Sequence, residues 1–125
     1  MKTIFLIDDS TTILMSMEQL LSRHPVKIEK AIDGEEAMRK LSGGLKPDLI
    51  ITDINMPRKD GMQLIREVKQ DSRFRFTPIL VLTTEFDTGK KAEAKKLGAT
   101  GWLVKPVNGE QLLGVLKQVL PGAVA

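Results

Sequence analysis

Five residues of this chain can meet at one point: Asp8, Asp9, Asp53, Thr83 and Lys105. Each follows an apolar run that reads as a β-strand. Asp8-Asp9 follows Ile4-Phe5-Leu6-Ile7, and Asp53 follows Leu49-Ile50-Ile51-Thr52. Thr83 follows Ile79-Leu80-Val81-Leu82, and Lys105 follows Trp102-Leu103-Val104. In an open parallel sheet the carboxyl ends of the strands share one edge, and ligands bind there. Three acids, a hydroxyl and an amine then face one pocket. Clustered acids repel one another unless a cation lies among them. Mg²⁺ is a hard cation that takes oxygen ligands and keeps several waters. A stiffly held carboxylate such as Asp53 can attack a phosphoryl donor and form an acyl phosphate. Lys105 and the metal would then stabilise charge on the transferring group, with a hydrogen bond from Thr83.

Each residue alone carries less. Asp9 is equally readable as a helix cap. A lysine before proline is usually solvated, and threonine at a strand end often reflects β-propensity alone. Four matched strand ends together carry the reading.

The elements that must position these residues alternate five times between strand and helix. Strands are expected near 2–7, 26–31, 48–52, 79–82 and 100–104. The first helix places Ile13, Leu14, Met17, Leu20 and Leu21 on one face, and Pro25 is expected to stop it. Asp33 caps the second helix with Glu36 three residues on, Met38 and Leu41 face inward, and Gly43-Gly44 ends it. Gly61 opens the third helix, which turns Leu64, Ile65 and Val68 inward. The fourth, about 88–97, has a thin apolar face of Ala92, Ala94 and Leu97 among lysines. Asn108 caps the fifth, which buries Leu112, Leu113, Leu116, Val119 and Leu120. Alternation of this kind implies right-handed crossovers and a parallel sheet covered on both faces.

The totals bound the class. At 125 residues the chain fits one domain, and 42% hydrophobic with 28% charged residues excludes a disordered chain. The absence of cysteine excludes disulfides and thiolate metal sites. No apolar run is long enough for a signal peptide or a bilayer span, so a cytoplasmic protein with no membrane partner is expected. A net charge of +3 fits an ordinary mixed surface. Arg73 and Arg75 alternate with Phe74 and Phe76, but a nucleic-acid binder needs a basic stripe and a reading motif. Those phenylalanines are expected to plug the core instead. His24, the only histidine, lies at the opposite sheet edge and is no catalytic candidate.

At the segments IDDS (7–10), TDINMPRKDG (52–61), LTTE (82–85) and GWLVKP (101–106), the chain resembles the receiver domain of bacterial two-component response regulators, within it the single-domain CheY-like proteins. The resemblance covers nearly the whole chain. It implies a doubly wound, flavodoxin-like (βα)5 sandwich with strand order 2-1-3-4-5, a receiver domain over 1–121 and a short tail over 122–125. It implies Asp53 as phosphoacceptor, and Asp8, Asp9, Asp53 and the backbone carbonyl of Asn55 as Mg²⁺ ligands. Thr83 becomes the switch hydroxyl, Lys105 the phosphoryl contact, and Trp102 the aromatic that turns inward when Thr83 moves. The Lys105-Pro106 bond is implied to be cis. Asn55 and Glu85 occupy positions that tune phosphate lifetime. Thr84, where the family usually has Ala or Gly, would crowd the pocket, and Trp102 replaces the commoner Tyr or Phe. A core tryptophan is the alternative for Trp102.

The implied protein is a monomeric, stand-alone response regulator, not an enzyme beyond its own phosphorylation and dephosphorylation. Its implied partners are a histidine kinase, a candidate phosphatase, and a target on the face of helix four, strand five and helix five, with chemotaxis as the setting. Lys90, Lys91, Lys95 and Lys96 on that face read as a docking surface for an acidic segment or as a solvated helix face. A phosphorelay intermediate and a vestigial receiver used only for binding remain as alternatives. So do a haloacid-dehalogenase-type hydrolase, which wants an acid where Asn55 stands, and a flavodoxin-like carrier, whose phosphate the Asp8-Asp9 turn would repel.

Overall fold

The apolar runs at 4–7, 49–51 and 79–82 are too short for helices and too apolar for a half-exposed sheet, so they fold as strands covered on both faces. The computed structural model describes residues 1–56, 59–84 and 88–122. Five strands alternate with five helices: β1 (Lys2–Ile7), α1 (Thr11–Leu21), β2 (Val26–Ala31), α2 (Gly34–Ser42), β3 (Leu49–Asp53), α3 (Gly61–Gln70), β4 (Ile79–Thr83), α4 (Thr88–Leu97), β5 (Gly101–Val104) and α5 (Gly109–Val119). All strand pairs are parallel, in the order β2-β1-β3-β4-β5. That is the expected flavodoxin-like sandwich. None of the described helices is long and apolar enough to cross a membrane.

Alternation along each strand splits the core into two layers. Ile4, Leu6, Leu49, Ile51, Leu80 and Leu82 pack with Leu14, Met17 and Leu21 of α1 and with Leu112 and Leu116 of α5. Phe5, Ile7, Ile50, Ile79 and Val81 pack with Leu41 of α2, Leu64, Ile65 and Val68 of α3, and Ala94 of α4. Each buried Leu, Ile, Val, Met or Phe among them contributes about 1.5–3 kcal/mol. The central strands are therefore the stiff part of the molecule.

Two strand boundaries differ from the expectation. Asp53 and Thr83 are the last residues of β3 and β4, not the first beyond them. Their backbones are thus held inside the sheet, with Asp53 opposite Leu82 and Thr83 opposite Val104.

Other differences lie at helix ends and loops. α1 stops at Leu21 with Ser22 as its C-cap, so Pro25 follows the stop without causing it. Ile13, Leu20, Leu113 and Val119 are half-buried at the flanks of the apolar faces, and Met38 packs at the margin of the core. Ala92 is exposed, which leaves α4 with an even thinner apolar face. Phe74 fills the core as expected, but Phe76 is 91% exposed. Arg73 stacks over Phe74 with 4.9 Å to the ring centre and pairs with Asp71 at 2.8 Å. Lys69 donates to the carbonyls of Thr77 at 2.6 Å and Arg75 at 3.0 Å. These cations serve the loop between α3 and β4.

The loop from β3 to α3 is tied at both ends by glycines. A Cβ on Gly61 would lie 2.3 Å from the Asp53 carbonyl oxygen and 2.7 Å from Ile54 Cα. Its amide donates to Ile54 O at 2.9 Å. A Cβ on Gly34 would lie 2.3 Å from the carbonyl oxygen of Lys59, to which the Gly34 amide donates at 3.2 Å. Asp60 caps α3 through a capping box with Gln63. Substituting Gly61 by alanine must push α3 away from the end of β3. Gly61→Ala is expected to lower unfolding free energy by about 3 kcal/mol, measured by urea denaturation.

Candidate functional site

The site grows from the ends of β1 and β3, which lie side by side with Ile7 opposite Thr52. Past Ile7, the Asp8 amide donates to Ala31 O at 3.1 Å, anchoring the turn to the edge strand β2. Asp8 Oδ1 accepts the Ser10 amide at 2.9 Å. Ser10, not Asp9, is the N-cap of α1, accepting from the Ile13 amide at 3.3 Å. The cap alternative for Asp9 therefore fails, and the capping preference of serine was the signal for it. Asp9 is exposed and points its carboxylate toward its neighbours instead. One carboxylate oxygen from each of Asp8, Asp9 and Asp53 lies within 4.8 Å of the others.

Asp8 and Asp53 are only 1% and 5% exposed. Lys105 sits between them, with Nζ 3.1 Å from Asp8 Oδ2 and 3.2 Å from Asp53 Oδ1. The Lys105 ammonium is the charged group against the buried Oδ2 of Asp8. Asp53 Oδ1 also receives the Asn55 amide at 3.4 Å. Three converging carboxylates, two of them buried, form an oxygen-only set that fits a hard divalent cation.

The ionisation of the site follows from this crowding. Burial raises the Asp53 pKa, and the negative charge of Asp8 raises it further. Lys105 and the Asn55 amide offset only part of the rise. Burial alone would lower the pKa of Lys105, but Asp53 and Asp8 outweigh it, and the ammonium is held charged above its ordinary range. One ammonium does not balance the acids.

Thr83 ends β4, is 2% exposed, and donates from Oγ1 to Thr84 O at 3.2 Å. Its own carbonyl accepts the Lys105 amide at 2.8 Å, which ties the two residues at the same edge. The Lys105-Pro106 bond is cis, as the resemblance implied. Thr84 is exposed, and Glu85 lies outside the described residues. Trp102 is 41% exposed, so it is not a core tryptophan. It stands on edge strand β5 with Lys91 Nζ 5.6 Å from its ring centre. Asn55 is exposed and accepts on Oδ1 from Lys90 of α4, a contact that the sequence reading missed. Glycines 34 and 61 were also missed as the pins of the Asp53 loop.

The family model for the response regulator receiver domain matches residues 4–117. The chain belongs to this family. It is 36% identical to Protein PilG of Pseudomonas aeruginosa over 118 residues, covering 94% of this chain and 87% of that protein. It is 35% identical to chemotaxis protein CheY1 of Helicobacter pylori over 118 residues, covering 94% and 95%. Among solved structures, the chemotaxis response regulator CheY4 of Vibrio cholerae superposes with a TM-score of 0.88 at 43% identity, over 96% of this chain and 99% of that one. The receiver identity of the chain thus rests on sequence and fold alike.

Repulsion at the site has a pH signature. The raised pKa of Asp53 means that its ionised form destabilises the metal-free fold. The cost is complete above the folded pKa and vanishes below the ordinary carboxylate range, where Asp53 is protonated both folded and unfolded. In chelator-treated protein, Asp53→Asn is expected to raise the urea midpoint at about pH 8, with the gain shrinking toward zero by about pH 4.

Proposed function

We propose that this receiver domain is a phosphorylation switch whose acceptor is Asp53. The observation that carries the reading is the convergence of Asp8, Asp9 and Asp53 within 4.8 Å with Lys105 against two of them. A buried carboxylate held inside the end of a central strand is positioned for attack, with little reorganisation needed. Asp8, Asp9, Asp53 and the Asn55 carbonyl would hold Mg²⁺, which when bound neutralises the acids and the oxygens of an incoming phosphoryl group. Asp53 supplies the attacking oxygen. A new oxygen–phosphorus bond forms as the bond from phosphorus to the donor breaks, and the electron pair leaves with the donor. For a histidine kinase that donor atom is an imidazole nitrogen. Lys105, already paired with Asp53 and Asp8, orients on the phosphoryl oxygens.

The phosphoryl group adds charge and strong acceptors at this edge. Thr83 is the hydroxyl to answer it, and its backbone is joined to Lys105. Trp102, on the neighbouring strand and 41% exposed, is the aromatic that would turn inward in response. The face of α4, β5 and α5 would then change for a target protein. Likeness to PilG and to chemotaxis regulators supports a cytoplasmic, stand-alone regulator in a chemotaxis-like pathway. The chain acts as signal carrier and not as an enzyme on other substrates.

Beryllium fluoride, a mimic of the phosphoryl group, tests the acceptor. A bound ¹⁹F resonance is expected that requires both Mg²⁺ and Asp53 and is absent in Asp53→Asn. Folded wild type without any bound signal would leave a protein-binding module with an inactive pocket. Thr83→Ala is expected to keep the bound resonance but lose the accompanying change in Trp102 fluorescence.

A further inference from the structure

Two adjacent lysines of α4 reach in different directions. Lys90 donates from Nζ to Asn55 Oδ1, and Lys91 places its ammonium 5.6 Å from the centre of the Trp102 ring. Asn55 donates its amide to Asp53 Oδ1 at 3.4 Å. A line of contacts thus runs from Asp53 through Asn55 to Lys90, and the next residue of the same helix reaches Trp102. Among the described side chains, α4 buries little apolar surface. Ala94 is its one buried residue among the described side chains, and Leu97 is half-buried. A thinly packed helix is easily displaced, so a few polar tethers weigh more on it than on α1 or α5. Lys95 and Lys96 of the same helix are exposed, whereas Lys90 and Lys91 are half-buried.

We propose that Lys90 is a positioning residue that sets the lifetime of phosphorylated Asp53. By engaging the side-chain carbonyl of Asn55, it ties α4 to the loop beside the acceptor and withholds that carbonyl from attacking water. The inference rests on Asp53 being the phosphoacceptor. Hydrolysis of the aspartyl phosphate forms a bond from water oxygen to phosphorus and breaks the bond from phosphorus to the carboxylate. The electron pair stays on Asp53, inorganic phosphate leaves, and the proton released goes to solvent. An acceptor beside the phosphorus that takes a hydrogen bond from that water speeds the step by orienting it. Asn55 Oδ1 is two residues beyond Asp53 and suits that role. A charged donor outcompetes water for it, because charge-assisted hydrogen bonds are the stronger. Release of α4 and exposure of the phosphate to water then become one event.

The test loads the protein with acetyl phosphate and Mg²⁺, removes the donor, and follows phosphate release. Lys90→Met is expected to shorten the lifetime by about threefold or more, Lys90→Arg to restore it, and Lys90→Met to have no further effect in an Asn55→Ala background. An unchanged lifetime in Lys90→Met, or an equal shortening with and without Asn55, overturns the proposal. In the resting protein, Asn55→Ala is expected to shift Trp102 emission in the wild-type background and not in Lys90→Met. Absence of that shift overturns the tether. Failure of wild type to load at all would instead refute the acceptor reading and the lifetime role with it, while the emission comparison still decides the tether.

Discussion

The crowding of negative charge at one edge of the sheet is the constraint on which the rest of this structure depends. Three carboxylates converge within 4.8 Å, two of them nearly excluded from water, and one ammonium lies against them. Left to themselves such groups would separate or take up protons. They stay together because β1 and β3 are adjacent central strands whose neighbouring residues are packed on both faces. The core imposes the proximity, and the proximity creates a demand for a cation among the acids. The site thus carries unfavourable electrostatics that a bound divalent cation would relieve.

Rigidity is distributed unevenly around that site. Asp53 and Thr83 sit within strands whose residues are all buried. The loop after Asp53 is tied down by two glycines that admit no side chain. α4, which packs on α3 and β4, lies at the other extreme: among its described side chains one alanine is buried, one leucine is half-buried, and two lysines make polar contacts. A stiffly held Asp53 therefore stands beside a helix with few buried side chains. Biasing a two-state element requires unequal affinity for its two positions, and a change of charge beside Asn55 and Thr83 is a source of such a difference.

Much of the fold was legible in the chain. Short apolar runs marked the central strands, and Asp33 and Asn108 marked helix starts that the structure retains. The misses have local causes. Asp9 and Ser10 are both good caps, and only backbone geometry chose Ser10. Pro25 looked like a helix stop because proline cannot continue a helix, but the chain had already left α1. Phe74 and Phe76 are equivalent by composition, and the turn between α3 and β4 buried one and exposed the other.

The sequence by itself determined which residues meet. Side chains at the carboxyl ends of parallel strands share one edge whatever the loops do, so Asp8, Asp9, Asp53, Thr83 and Lys105 were placed by strand pattern alone. Tertiary structure decided how they meet. The pairing of Lys105 with both acids and the partners of Lys90 and Lys91 depend on distances of a few ångströms between elements far apart in the chain. No periodicity encodes such distances, because packing of helices on the sheet sets them. The same packing made Gly34 and Gly61 obligatory, for it is the approach of a distant backbone, and not the local conformation, that excludes a Cβ there.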